Sequence, residues 1–408
     1  MITSKQEKSK QDHRDIGREL DLFSFHEIAP GAPFWHPKGM AIFKELEKLA
    51  RGINERDGYL EISTPILVKK EVFEKSGHWD HYRDNMFYFT NPRDENESLV
   101  VKPMNCPEST YIYSSAVRSY RELPLRLAEI GRLNRNELSG TLGGLFRVRQ
   151  ITMDDAHIYL MPEHVEDEIA KITKTIKDFY GMFGFATTYV LATRPKDALG
   201  TKEEWDRAEK ALENALKKAG VKYSLAKEEG AFYGPKIEAH LRDSQDRDWQ
   251  MGTAQLDLVM LPKEFDVYYI DEKGEKKMPW VIHRAIFGSF ERFIGVLLEH
   301  TNGNLPVWLS PVQTIILPIS DKQNEGAEKI LEQLKKAGVR AEINTDNETL
   351  GKKIRFAELQ KIPYLLVVGD KELQANAVAV RQRSKGDLGQ VKIEEFIEKV
   401  KKEIKDKK

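Results

Sequence analysis

The sequence predicts an α+β fold: an antiparallel sheet flanked by helices over most of the chain, followed by a smaller α/β domain. Three observations predict it. Strand-like stretches outnumber helical ones up to about residue 300, and several alternate polar and apolar residues, as antiparallel strands with one solvated face do. Two long helical patterns interrupt that series and can pack behind the sheet. Beyond the turn-rich run Asn302-Gly303-Asn304-Leu305-Pro306 the order becomes alternating β and α units, which indicates a compact second domain with a mainly parallel sheet.

The 408 residues suffice for two or three domains with proper cores. A composition of 40% hydrophobic and 32% charged residues is that of an ordinary globular protein. The formal net charge of −1 leaves polyanion binding to wherever Lys and Arg cluster. No apolar run approaches the roughly 20 residues that cross a bilayer. The polar, lysine-rich start lacks the apolar centre of a secretory signal. With a single cysteine, these features point to the cytoplasm.

Residues 1–12 offer almost nothing to bury and are expected to be disordered, with order beginning near His13. The spacing of Ile42, Phe43, Leu46, Leu49, Ala50 and Ile53 predicts an amphipathic helix over 39–56. An extended run over 60–67 follows, and its Pro65 cannot donate a ladder hydrogen bond, which suits an edge or an interface. Strands are expected over 99–102, 127–133, 146–151, 236–241 and 249–258. Helices are expected over 163–183 and 202–219, the second closed by Gly220. After the linker come strand 314–318, helix 322–337, strand 340–344, helix 350–361, strands 364–368 and 377–381, and a basic terminal helix over 393–405. The domains are therefore 13–301 and 302–408.

Cys106 sits in the run Lys102-Pro103-Met104-Asn105-Cys106-Pro107. Alone it reads as a small apolar core residue. Asp154-Asp155-Ala156-His157 and Ile282-His283-Arg284-Ala285 each add one histidine in a polar cluster. One thiolate and two imidazoles make a three-ligand zinc site with an open fourth position. No local Cys-x-x-Cys pair exists, so such a site would be a cleft feature gathered from three distant elements.

Arg135-Asn136-Glu137 leads into the glycine-bearing loop 139–144, and Arg147 and Arg149 are expected on the returning strand. Guanidinium forks arranged this way can hold a polyphosphate, although a solvated hairpin reads the same. Gly288 to Phe293 looks like a helix start presenting Arg292. Phe232-Tyr233-Gly234-Pro235-Lys236 is a tight turn feeding a strand. Thr253, Gln255 and Asp257 share a strand face that can fix a small polar ligand, and Gln250 joins them only if Gly252 marks a bulge. His78, in Gly77-His78-Trp79-Asp80, is either structural or a proton acceptor near neutral pH.

Six segments, 102–107, 135–140, 154–157, 231–238, 249–257 and 282–293, occur in the order found in class II aminoacyl-tRNA synthetases, and the chain resembles the threonyl branch of that family from about His13 onward. The resemblance implies a catalytic domain built on an antiparallel sheet, an anticodon-binding domain, a homodimer, and a short form without N-terminal editing domains. No serine editing in cis is then expected. It implies zinc on Cys106, His157 and His283, and Mg²⁺ with ATP. Arg135 matches the residue on the α-phosphate and amino-acid carboxylate, Glu137 the adenine reader, and Arg147 and Arg292 the grips on the outer phosphates. Asp155, Tyr233 and Gln255 match the threonine pocket, Lys236 and Gln250 flank the reacting groups, and His78 matches a histidine that assists transfer to tRNA(Thr).

An apolar pocket separates threonine from its near-isostere valine by only about 10- to 200-fold. A zinc ion taking the substrate amino group and hydroxyl together discriminates further, so the metal is expected to select the amino acid. Several positions depart from the family pattern: Glu108-Ser109 for Gly-His, Asn134 for His, Met153 for Gln, and Ile151 for an adenine-stacking Phe, which predicts weaker ATP binding. Lys352, Lys353, Arg355, Lys371, Arg381 and Arg383 form either an anticodon-facing basic surface or a solvated face. Two alternatives stay open. One is a binding or regulatory protein on the same fold, which loss of a ligand or arginine would favour. The other is a synthetase for serine or proline, against which the Cys/His/His set speaks.

Overall fold

The computed structural model describes residues 12–408; the disorder expected over 1–12 falls outside the described residues except at Asp12, which caps the helix His13–Glu19 by accepting from the Arg14 N–H. The chain forms two compact units. One comprises Met1–Ser24, Phe34–Lys48 and Leu298–Lys408, the other Phe25–Pro33 and Leu49–Leu297. Residues 12–24 and 34–48 thus cluster with the C-terminal unit, where His13 Nδ1 lies 2.7 Å from Glu299.

The larger unit is built on eight strands: β1 (Leu60–Glu61), β2 (Leu125–Asn134), β3 (Gln150–Leu160), β4 (Thr187–Ala192), β5 (Tyr223–Ala226), β6 (Lys236–Arg242), β7 (Asp248–Asp257) and β8 (Trp280–Ser289). Their order is β5-β4-β6-β7-β8-β3-β2-β1. All ladders are antiparallel except the two at the edges, β4 with β5 and β1 with β2. Helices Val165–Gly181 and Lys202–Lys218 pack on each other and on β7. The first buries Ile169, Ile172, Ile176 and Phe179, the second Trp205, Leu212 and Leu216, spacings that place each set on one helical face. Each such side chain contributes about 1.5–3 kcal/mol by leaving water. Thr201 and Glu204 form a capping box at the start of the second helix, and Gly220, at φ +66°, follows its end as expected.

The strand expected over 146–151 begins only at Gln150. Residues 143–149 instead close on themselves, Gly143 N–H donating to the Arg147 carbonyl and Phe146 N–H to Gly143, while Arg149 N–H donates to the Gly31 carbonyl. Arg147 and Arg149 therefore sit in a loop and not on a returning strand. Pro65 lies between the edge strand β1 and the strand Leu67–Lys69 of a separate three-stranded sheet, an edge position as its missing donor requires.

The smaller unit carries β9 (Thr314–Pro318), β10 (Ala341–Ile343), β11 (Tyr364–Val368), β12 (Ala377–Gln382) and β13 (Gly386–Lys392), ordered β10-β9-β11-β12-β13. Two ladders are parallel and two antiparallel, so the sheet is mixed and not mainly parallel. Its core joins Ile316, Leu334, Leu366, Val378 and Phe396. Among the described residues no helix is long and apolar enough to cross a membrane.

Candidate active site

One face of the large sheet forms the floor of a cavity of about 330 Å³. Strand alternation decides which residues point into it. Gln255 on β7 pairs with His283 on β8, which pairs with His157 on β3. The next row reads Thr253, Ala285 and Asp155. All six line the cavity, together with Met153, Leu133 and Arg135. Helix Cys106–Tyr113 lies against the same region and buries Cys106 among Leu127, Tyr159 and Met260.

The Cys106 sulfur and one ring nitrogen each of His157 and His283 lie within 4.8 Å of one another. Tetrahedral zinc bonds of about 2.0–2.3 Å require donors about 3.5 Å apart, a small adjustment from this spacing. All three side chains are buried, and the His157 and His283 rings meet edge to face at 4.9 Å. His283 Nε2 stands 3.3 Å from Asp257, a carboxylate–imidazole arrangement that orients metal-binding histidines. Burial raises the Cys106 thiol well above its usual range, with the charge of Asp155 next in effect, and burial lowers His157 to about 4. Holding a buried thiolate there calls for a cation, so the donor set fits zinc.

Asp257 was expected to share the ligand face. It does, but its carboxylate accepts from the Val259, Met260 and Leu261 N–H groups and so caps the next helix. Gln250 meets the condition set for it: the β6–β7 register passes from Ala239 opposite Gly252 to His240 opposite Gln250, leaving Met251 as the extra residue of a bulge. Gln250 then donates to Glu238 at 2.6 Å, and Lys236 pairs with the same carboxylate at 2.7 Å. The turn from Ala231 to Gly234 brings the Tyr233 ring to 4.9 Å from His283 and its hydroxyl to 2.6 Å from Gln255 Oε1. A β-carbon at Gly234 would stand 1.9 Å from the Leu256 carbonyl oxygen, so only glycine lets this turn approach β7.

Arg135 and Arg147 both lie within electrostatic reach of Arg292. Arg135 donates to the Pro103 carbonyl, Arg147 pairs with Glu137 at 2.8 Å, and Arg292 donates to the Phe146 carbonyl. Burial lowers the Arg292 pKa, and the charges of Arg135 and Arg147 lower it further. Two buried carboxylates that the sequence reading left unassigned brace β8 and the start of the helix that carries Arg292. Glu291 accepts the Thr152 N–H, and Asp154 accepts the Ile286 and Phe287 N–H groups inside the β8 bulge. Both lay inside quoted segments, but their burial shows only in the fold. Arg147, Arg292, Glu137, Lys236 and Gln250 lie outside the cavity lining; the other expected site residues line it.

His78 does not titrate near neutral pH. Burial, then the charges of His283 and His81, bring it down to about 3; Nδ1 meets Ser76 at 2.8 Å and Nε2 faces the Cys106 sulfur at 3.9 Å. The basic set of the smaller unit also needs correction. Lys353 is buried and donates to the Pro318 and Asn344 carbonyls, and Arg383 to those of Lys361 and Leu305. Both are structural, while Lys352, Arg355 and Lys371 remain exposed.

Residues 87–301, more than half the chain, match the tRNA synthetase class II core domain (G, H, P, S and T), and residues 313–403 match an anticodon binding domain. A crystal structure described as the RNA binding domain of threonyl-tRNA synthetase from Cryptosporidium parvum Iowa II superposes with a TM-score of 0.90 at 39% identity, covering 96% of this chain and 98% of that one. The chain belongs to the threonyl-tRNA synthetase family. Curated threonine–tRNA ligases of Caldanaerobacter subterraneus subsp. tengcongensis and Carboxydothermus hydrogenoformans are each 51% identical over 98% of this chain. The chain spans 61% and 63% of their respective lengths. Of the strands that carry the quoted segments, β3, β7 and β8 line the cavity described above.

Proposed function

We propose that this chain activates threonine with ATP to threonyl-adenylate and transfers it to tRNA(Thr), as a cytoplasmic homodimer using zinc and Mg²⁺. The observation that carries this reading is the meeting of the Cys106 sulfur with the His157 and His283 rings on the floor of a cavity that Asp155, Gln255 and Arg135 also line. Bound there, zinc would act as a Lewis acid toward an amino group and a β-hydroxyl together, a pair valine lacks.

The protein's own groups do the rest. Asp155 offers a carboxylate to the N–H of the substrate amino group, and the Tyr233–Gln255 pair presents a fixed polar edge to the side chain. The threonine carboxylate oxygen attacks the ATP α-phosphorus, forming an acyl-phosphate bond as the bond to pyrophosphate breaks. Arg135 neutralises charge at that centre while Arg147 and Arg292 hold the outer phosphates. Three guanidiniums within electrostatic reach of one another repel, and a polyphosphate removes that cost. Glu137 reads adenine, while Lys236 and Gln250 border the nucleotide. His78, lowered to about 3 by burial, would assist transfer by its place in the cavity wall and not as a base near neutral pH.

Exposed Leu60, Ile66, Leu67, Tyr88 and Phe89 support a second copy covering the edge around Pro65. Lys352, Arg355 and Lys371 are the cations available to an anticodon stem. The test is threonine-dependent ATP/pyrophosphate exchange: Cys106→Ala should abolish it, and exchange retained in a metal-free variant refutes the proposal.

A further inference from the structure

Asn105 has no role in the chemistry above, yet it is 1% exposed and its side chain is turned toward the cavity floor. Its Nδ2 donates to Asp155 Oδ2 at 3.0 Å. The other carboxylate oxygen, Oδ1, is 4.0 Å from His157 Nε2. Asn105 Oδ1 is buried without a hydrogen-bond partner. An unsatisfied buried carbonyl is costly, so the amide is held in this orientation by the carboxylate it serves.

The seat for this amide is Gly131 on β2. Gly131 pairs with Met153, two residues along β3 from Asp155 and therefore on the same face. A β-carbon on Gly131 would lie 2.6 Å from Asn105 Oδ1 and 2.8 Å from Nδ2. Any side chain there displaces the amide, because separations under 3.0 Å force something to move. Asn105, Gly131 and Asp155 come from a helix N-cap and two neighbouring strands, and they form one geometric unit.

We propose that Asn105 is a positioning residue that aims the Asp155 carboxylate at the amino group of the amino-acid substrate, with Gly131 as its required seat. The inference rests on the activity proposed above. One hydrogen bond from Asn105 fixes the carboxylate plane and leaves Oδ1 for the N–H of the substrate amino group. A free Asp155 would rotate, and its orientation would have to be restored on every binding event. An aspartate at 105 would oppose Asp155 with a second carboxylate, so the amide is chemically selected over its acidic isostere.

The test is a double-mutant cycle on Asn105→Ala and Gly131→Ala, with Asn105→Leu as a shape-preserving variant should the alanine disturb packing. Kinetics of ATP/pyrophosphate exchange are read beside zinc content. A hydrogen bond to a charged group is worth about ten-fold or more, so Asn105→Ala and Asn105→Leu should each raise KM for threonine about ten-fold. KM for ATP and zinc content should stay unchanged, a split that general unfolding does not produce. Gly131→Ala should raise KM for threonine similarly, and the double variant should match Asn105→Ala alone, because the clash disappears with the amide. Multiplying effects in the double variant, or an unchanged threonine KM in both Asn105 variants with an active wild type, overturn the positioning role and leave the proposed activity standing. A wild-type protein without threonine-dependent exchange overturns that activity and this role with it.

Discussion

Lys102→Met offers the sharpest test of how the entry to the Cys106 segment is held. The Lys102 and Glu129 side chains are 1% and 7% exposed and 3.0 Å apart. Lys102 Nζ also donates to the Thr64 hydroxyl at 2.7 Å and to its carbonyl at 3.2 Å, while Glu129 accepts the Thr64 N–H and hydroxyl. This knot ties the extended run around Pro65 to the residues leading into Cys106. Removing the lysine strands a buried carboxylate, which costs about 3–5 kcal/mol. At about 2–4 °C per kcal/mol for a unit of this size, the larger unit should melt about 10 °C lower in calorimetry. Adding Glu129→Gln removes the stranded charge and keeps an acceptor for the Thr64 N–H, so the double variant should regain more than half the loss. A Lys102→Met protein within about 1 kcal/mol of wild type, or a double variant as unstable as the sum of the singles, refutes the reasoning.

Ile151 is 8% exposed and packs with Leu133, Val148 and Met153. Ile151→Phe restores an aromatic face worth about 0.5–1.5 kcal/mol, so KM for ATP should fall about two- to ten-fold, and an unchanged KM contradicts the stacking argument. His240 bridges Glu238 at 3.3 Å and Asp248 at 2.6 Å, and its pKa is raised above 6.5, chiefly by Glu238. Its folded pKa lies above the unfolded one, so its stabilisation is complete below pH 6.5 and is lost as pH rises through the folded value. His240→Gln should flatten stability against pH above 6.5 in denaturant titrations; an unaltered slope counts against this network.

The residues that read correctly from sequence are those whose signal is local. Helix Lys202–Lys218 carries its capping box and closing glycine in its own sequence, and β7 alternates within itself. The meeting of Cys106, His157 and His283 was legible because these residue types are rare together, though Gln255, His283 and His157 become neighbours only through strand register. What failed depends on partners far away in the chain. Residues 146–149 have β-type composition, but the Gly31 carbonyl captures Arg149 N–H and keeps the loop out of the ladder. Lys353 looks like a surface cation until the Pro318 and Asn344 carbonyls surround it. Strand β13, with two glycines and an exposed surface, has no alternation to read and forms because β12 offers it a ladder. Asn105 went unassigned because its meaning lies in the space left by Gly131, which no spacing rule encodes.

X-ray absorption at the zinc edge on the protein as purified, with metal analysis of the same sample, tests the central claim most directly. The predicted result is one zinc per chain with one sulfur at about 2.3 Å and two imidazole nitrogens at about 2.0–2.1 Å. In Cys106→Ala the sulfur shell should vanish. A fully active protein without zinc, or a zinc site whose sulfur shell survives that substitution, would contradict it.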